Sequence, residues 1–272
     1  MPFTLFLTNF GIVACVLLLF SVVVFFIARY FHDNSVMDIA YGPAFFIGIA
    51  TANYFVGALS PLMIFMLVAI GAWSWRLSSR IFRKNVGKPE DARYAKWRDE
   101  WMQKGRAYFL IRSYLQINLL QIVIILLVAT PAILAMSYPE AYSDIFLLLG
   151  TVVFIVGLIY ESTADRQLDA FIKRKKAGTE EADLMTQGLF AYSRRPNYFG
   201  ETLVWWGLAI AVLPLPFGWL GLISPILITY IVTKVTGPML EKSFLEKYPE
   251  KYQRYIDTTN YFIPGKPKPE QP

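Results

Sequence analysis

Seven long apolar stretches, joined by connections that alternate between basic and uncharged, constrain this chain more than any other feature. They run over 5–28, 36–58, 61–80, 109–136, 143–163, 199–214 and 217–236. Most come close to the roughly 20 residues that a helix needs to cross a bilayer. In hydrocarbon each backbone N–H and C=O must be paired within its own segment, so the stretches read as helices. Eight Lys and Arg side chains lie in 81–108, seven in 164–198 and six in 237–272, whereas 59–60, 137–142 and 214–217 have none. Basic loops stay on the cytoplasmic side. The predicted fold is therefore all-α and integral to the membrane. It has seven transmembrane helices, the N-terminus outside, the C-terminus cytoplasmic, and helical cytoplasmic loops. The sixth stretch is short and bounded by proline, so its limits are the least fixed. No basic residue precedes the first stretch, which argues against a cleaved signal peptide.

The net charge of +6 follows from this topology and does not point to nucleic acid. A single Cys15 allows no disulfide within the chain, and a single His32 excludes a histidine-based metal site. No glycine-rich dinucleotide fingerprint follows a strand pattern, and no Walker sequence is present. Residues 1–263 read as one membrane domain and 264–272, rich in Pro and Lys, as a disordered tail. The 91–104 part of the third connection suits an amphipathic helix on the membrane surface. The fifth span continues as helix into 164–187, closing near Gly178. Another helix is predicted over 239–257, with Phe244, Tyr248, Tyr252 and Tyr255 at near-helical spacing.

Five constellations can carry chemistry. The first is Arg194-Arg195-Pro196-Asn197-Tyr198-Phe199-Gly200-Glu201, where a basic stretch turns into an apolar one. Two guanidinium groups suit phosphate, Pro196 suits the first helical turn, and a helix N-terminus favours anions. Interfacial anchoring explains Arg194 and Tyr198 equally well. It does not explain Asn197 and Glu201, four apart on one face, the second a carboxylate inside an apolar run. Glu161 and Asp165 also share a face at the end of the fifth span, and suit ribose hydroxyls or simply a polar helix end. The Gly87–Tyr94 loop holds Asp91, Arg93 and Tyr94, either as a solvated surface or as a lid over a nucleotide. Glu241, Lys242 and Tyr248 form a fourth group, whose plainer reading is a packed helix. Asp38 and Tyr41, three apart at the start of the second span, can form a proton donor or a structural hydrogen bond.

The run Gly188–Glu201 resembles the signature of bacterial steroid 5-alpha-reductase-like membrane proteins, relatives of the eukaryotic steroid 5-alpha-reductases and sterol reductases. The Gly87–Tyr94 loop, Glu161/Asp165/Gln167 and Gly237–Lys242 resemble the same family in the same order, over about residues 36–264. The resemblance implies an oxidoreductase that holds NADPH in a cavity open to the cytosol. The cofactor residues it implies are Arg194, Asn197, Tyr198, Glu201, Asp165 and Tyr248, with Asp91, Arg93, Tyr94 and Glu241 more loosely; Arg195 joins them through its own charge, which suits phosphate. The implied reaction reduces a carbon–carbon double bond conjugated to a ketone in a hydrophobic steroid-like or lipid substrate. Asp38 and Tyr41 stand as the catalytic pair, in a multi-pass protein of the bacterial inner membrane. Two positions depart from the pattern. Arg195 stands where the family usually has His, a charge that either favours a 2′-phosphate or replaces a structural contact, and no Gln-Glu dipeptide occurs on the second span or anywhere else. The rival expectations are an S-adenosylmethionine-dependent methyltransferase of the isoprenylcysteine or phospholipid type, and a non-catalytic lipid-binding relative. The paired glutamates typical of those methyltransferases are replaced here by Glu241-Lys242.

Overall fold

The computed structural model describes residues 2–269, and no strand occurs among them. In chain order the helices are α1 (Pro2–Tyr30), α2 (Val36–Val56), α3 (Pro61–Asn85), α4 (Ala92–Met102), α5 (Arg106–Val128), α6 (Thr130–Ser137), α7 (Asp144–Lys176), α8 (Pro196–Val212), α9 (Gly218–Lys247) and α10 (Pro249–Thr258). Six of them, α1, α2, α3, α5, α7 and α9, are long and apolar enough to cross a membrane. The segment predicted as the sixth span forms α8, whose 17 residues reach roughly 26 Å.

Local chemistry sets the boundaries. Ser60 caps α3 by accepting from the Met63 amide at 3.2 Å, with Pro61 in the first turn. Asp91 caps α4 by accepting from the Arg93 amide at 2.9 Å. α2 ends where Gly57 turns left-handed at φ 72°. Wide turns interrupt α5 at Tyr114–Leu119 and α9 at Ile231–Thr236.

The chain divides into two compact units, Met1–Leu147 with Ala211–Ile223, and Leu148–Ile210 with Ser224–Pro272. The first is built on α1 packed against α2 and α2 against α3. Its polar hub is Asn34, in the connection between α1 and α2. The Asn34 amide and side-chain nitrogen both donate to Glu90 at 2.8 Å, and its side-chain oxygen accepts from Ser113 and Arg29. Glu90 in turn takes Arg98 at 2.6 Å. These bonds tie the 86–91 loop to the end of α1 and, through Ser113, to α5.

In the second unit, α7 and α8 cross backbone to backbone. A Cβ on Gly157 would meet the Val204 nitrogen at 2.6 Å, and one on Gly200 the Glu161 nitrogen at 2.5 Å. One on Gly207 would lie 2.5 Å from the Phe154 nitrogen. Small residues seven apart on α8 thus let the axes approach, as in membrane helix pairs generally. The approach sets the polar faces of the two helices against each other. Of the segment expected as a tail, 270–272 lie outside the described residues. Before them, the Gly265 and Lys268 amides donate to the Tyr192 and Thr258 carbonyls at 2.9 and 2.8 Å.

The crossing predicts that Gly157→Leu lowers the thermal unfolding midpoint of the detergent-purified protein, with an overpacking cost of about 1–3 kcal/mol or more. Gly11→Ala, which meets nothing within 4 Å, leaves the midpoint in place.

Candidate functional site

The second unit contains a cavity of about 370 Å³ lined by the residues that open α8 and by the end of α9 and α10. Arg194, Arg195, Asn197, Tyr198 and Tyr248 of the predicted set line it, joined by Phe244, Lys247, Tyr252, Tyr255 and Asp183. The two arginines, adjacent in sequence, have different roles.

Arg194 is 7% exposed. Its Nε donates to Glu241 Oε1 at 2.8 Å, and its Nη1 donates to the Thr259 and Ile256 carbonyls at 2.5 and 3.2 Å. Those carbonyls close α10, where the helix dipole is negative, so the guanidinium is held by charge as well as by hydrogen bonds. Its backbone amide donates to the Asn260 carbonyl at 2.8 Å. Ser193, fully buried, donates to the Phe262 carbonyl at 2.8 Å and accepts from the Arg195 amide at 3.1 Å. The segment after α10 therefore grips the start of the motif. Tyr261 extends the grip by donating to the Thr233 carbonyl inside the wide turn of α9, at 2.9 Å.

Arg195 is half-buried and meets only neutral groups. Its Nη2 donates to the Tyr252 hydroxyl at 3.3 Å and its guanidinium lies 5.7 Å from the Phe244 ring centre. Its Nε is enclosed and has no hydrogen-bond partner in the protein. Phe244 stacks on Tyr252 at 5.2 Å, and Tyr255 donates to the Phe190 carbonyl at 2.6 Å. Burial pushes the Tyr252 and Tyr255 phenols up, so both remain protonated donors. Asn197 donates to the buried Asp165 at 3.4 Å across the α7–α8 crossing. Glu201 follows one turn along α8.

A strap over 179–187 runs along the cavity and contributes Asp183, Leu184 and Met185 to its wall. Glycines with positive φ bound it, Gly178 at 71° and Gly188 at 61°. Arg174 pairs with Glu180 at 2.8 Å, and Asp183 takes Lys175 at 3.0 Å and Lys251 at 2.5 Å. The lysines, Lys251 first, push the Asp183 carboxyl down to about 2.

The remaining predicted residues belong to the first unit. Tyr94 donates to Asp38 Oδ1 at 2.6 Å, and Arg93 reaches Asp38 Oδ2 at 3.5 Å and Asp91 Oδ1 at 3.0 Å. The Asp91 amide donates to Ser35 at 2.9 Å. Asp91, Arg93 and Tyr94 thus gather at the start of α2. Burial and then the Asp38 charge push the Tyr94 phenol far up. The Tyr41 ring packs edge-on against Phe45 at 5.3 Å.

Residues 24–259 match the family described as protein of unknown function DUF1295. The chain belongs to that family. A relative named as uncharacterized protein C594.04c, of Schizosaccharomyces pombe, is 28% identical over 222 residues, which cover 71% of this chain. The chain spans about 60% of that relative's length. No solved structure matches. The family match takes in both arginines, Glu241 and α10, but ends before Tyr261.

Sequence reasoning missed Lys247 and Asp183 as parts of the cavity wall. It found Phe244, Tyr252 and Tyr255 only as part of a helical stripe, and Tyr248 also as a cofactor residue through the resemblance. Their common spacing was the available signal.

Two predictions follow from this geometry. Glu241→Ala removes the carboxylate partner of a buried guanidinium, so unfolding monitored by tryptophan fluorescence shows a loss of about 3 kcal/mol. For the strap, a depressed carboxylate contributes above its unfolded pKa and is lost as the pH falls through its folded value. With Asp183 near 2 the clamp is constant from pH 5 to 8 and weakens only below about 4. Limited proteolysis within 179–187 is therefore flat from pH 5 to 8, while Asp183→Asn raises it several-fold at pH 7.

Proposed function

We propose that this protein is an NADPH-dependent membrane oxidoreductase acting on CH–CH groups. Its substrate class is a hydrophobic steroid-like or lipid molecule with a double bond conjugated to a ketone. With this goes a topology of seven spans, the N-terminus outside and the second-unit cavity facing the cytoplasm, in a bacterial inner membrane. The observation that carries the reading is Arg195, a half-buried cation in the wall of an aromatic cavity whose partners there are the neutral Tyr252 hydroxyl and Phe244 ring. The signature resemblance to steroid 5-alpha-reductase-like proteins supports it.

The residues present suit a nicotinamide dinucleotide. Arg195 and Lys247 provide positive charge for phosphates, and Phe244 and Tyr248 provide ring faces for stacking. Asn197, Asp165 and Glu201 provide the donors and acceptors that ribose hydroxyls and a carboxamide require. Arg194, held by Glu241 and the α10 carbonyls, orients this wall and keeps the motif in place. A bound NADPH would supply the hydride.

Asp38 and Tyr41 are proposed as the acid pair that supports charge developing on a substrate carbonyl oxygen and delivers the proton. Tyr94 already donates to Asp38, so Asp38 fixes a phenol as a hydrogen-bond donor, and Arg93 compensates the carboxylate.

Fluorescence titration of the detergent-purified protein with NADPH and with S-adenosylmethionine tests the cofactor. NADPH is expected to bind, and Asn197→Ala and Glu201→Ala to abolish that binding. Binding of S-adenosylmethionine alone would sink the reductase reading. On an enone found by NADPH-oxidation screening, Tyr41→Phe is expected to lose turnover about 100-fold or more with cofactor affinity kept. Full turnover in that variant would move the proton to another donor.

A further inference from the structure

The cavity of the second unit carries more positive charge than the protein neutralises. Its wall holds three cations, Arg194, Arg195 and Lys247, against one carboxylate, Asp183. Arg194 is matched by Glu241, and Asp183 is already shared by Lys175 and Lys251. Among the described residues no carboxylate pairs with Arg195 or Lys247. Arg195 has the Tyr252 hydroxyl and the Phe244 ring, and the Lys247 ammonium has the Tyr248 ring at 5.1 Å. Two positive centres at separate aromatic rings call for a ligand with two separate anionic groups.

The centres differ in depth and in chemistry. Arg195 is half-buried with its Nε enclosed, and it presents a planar donor set. Lys247 is exposed at the last residue of α9 and is a compact, mobile charge. A pyrophosphate in mid-molecule carries one negative charge at each phosphorus. A phosphomonoester at pH 7 carries nearly two charges on one group. In a dinucleotide the nicotinamide end must leave water to meet an apolar substrate, so the adenosine end stays at the rim.

We propose that Arg195 holds the pyrophosphate and that Lys247, beside Tyr248, reads the 2′-phosphate of the adenosine, so that the cavity selects NADPH over NADH. This assignment rests on the dinucleotide reading above and adds to it the residue that sets the preference. Arg195 contributes to both dinucleotides alike, because both contain pyrophosphate. Lys247 contributes only where the monoester is present.

The test is equilibrium binding, by tyrosine and tryptophan fluorescence or calorimetry, of NADPH and NADH to the full chain in detergent micelles. Wild type is expected to prefer NADPH at least tenfold. Lys247→Ala should weaken NADPH roughly tenfold, as loss of one charge-assisted contact does, and leave NADH unchanged. Arg195→Gln should weaken both. Lys173→Ala, the same charge change at an exposed residue that does not line the cavity, should change neither. An equal loss for both dinucleotides in Lys247→Ala overturns the assignment while leaving the dinucleotide site standing, as does a wild type without preference. The same loss in Lys173→Ala overturns it too, by reducing the effect to overall charge. If neither dinucleotide binds wild type, the assignment falls together with the reading beneath it.

Discussion

The second unit depends on a buried guanidinium. Stripping water from a cation costs several kcal/mol, which only well-placed partners offset. Arg194 finds them in two places far from it in sequence, Glu241 on α9 and the carbonyls closing α10, while its backbone amide takes the Asn260 carbonyl just beyond. Satisfying one side chain therefore fixes where α10 ends and how the following segment returns past Tyr192–Arg194. It also explains why two arginines stand together. The first is committed to the fold, and its placement leaves the second facing the cavity with neutral neighbours.

A second constraint acts from the helix axes. Asp165 and Asn197 are short side chains, and they meet only because Gly157, Gly200 and Gly207 let α7 and α8 approach through their backbones. Bulk at any of the three would separate the polar faces before it disturbed the apolar ones. The glycine within the Arg194–Glu201 motif is thus part of the packing, while the residues around it bear the polar groups. One short sequence serves both purposes because its small and polar positions fall on different sides of α8.

How much of this was legible in the sequence depends on how local each cause is. Hydropathy sums along the chain, so the long apolar stretches appear as helices near their predicted limits, and the proline-bounded sixth emerges as the shorter α8. The motif at 194–201 was legible as a polar element opening a helix, and its Arg194, Arg195, Asn197 and Tyr198 line the cavity. The division between Arg194 and Arg195 was not, since adjacent residues of identical chemistry are told apart only by partners 47 to 65 positions away. Asp38 shows the same limit. Helical spacing set Tyr41 beside it, whereas the Tyr94 phenol that donates to Asp38 comes from 56 positions away, in the segment that the Asn34–Glu90 hub ties down. Lys247 and Asp183 resemble any other surface charge until the cavity wall gathers them.

The strap and the cavity are linked through charge. Lys175 and Lys251 share the single carboxylate of Asp183, so a closed strap still leaves the rim net positive, and Lys247 adds to it. Low-dielectric walls concentrate such a field, and it decays over about 10 Å at 0.1 M salt. An anion entering the cavity feels this attraction before it touches a donor. The pairs that hold the strap therefore leave positive charge in slight excess, with Lys247 in the cavity wall and both Lys175 and Lys251 on the one carboxylate of Asp183.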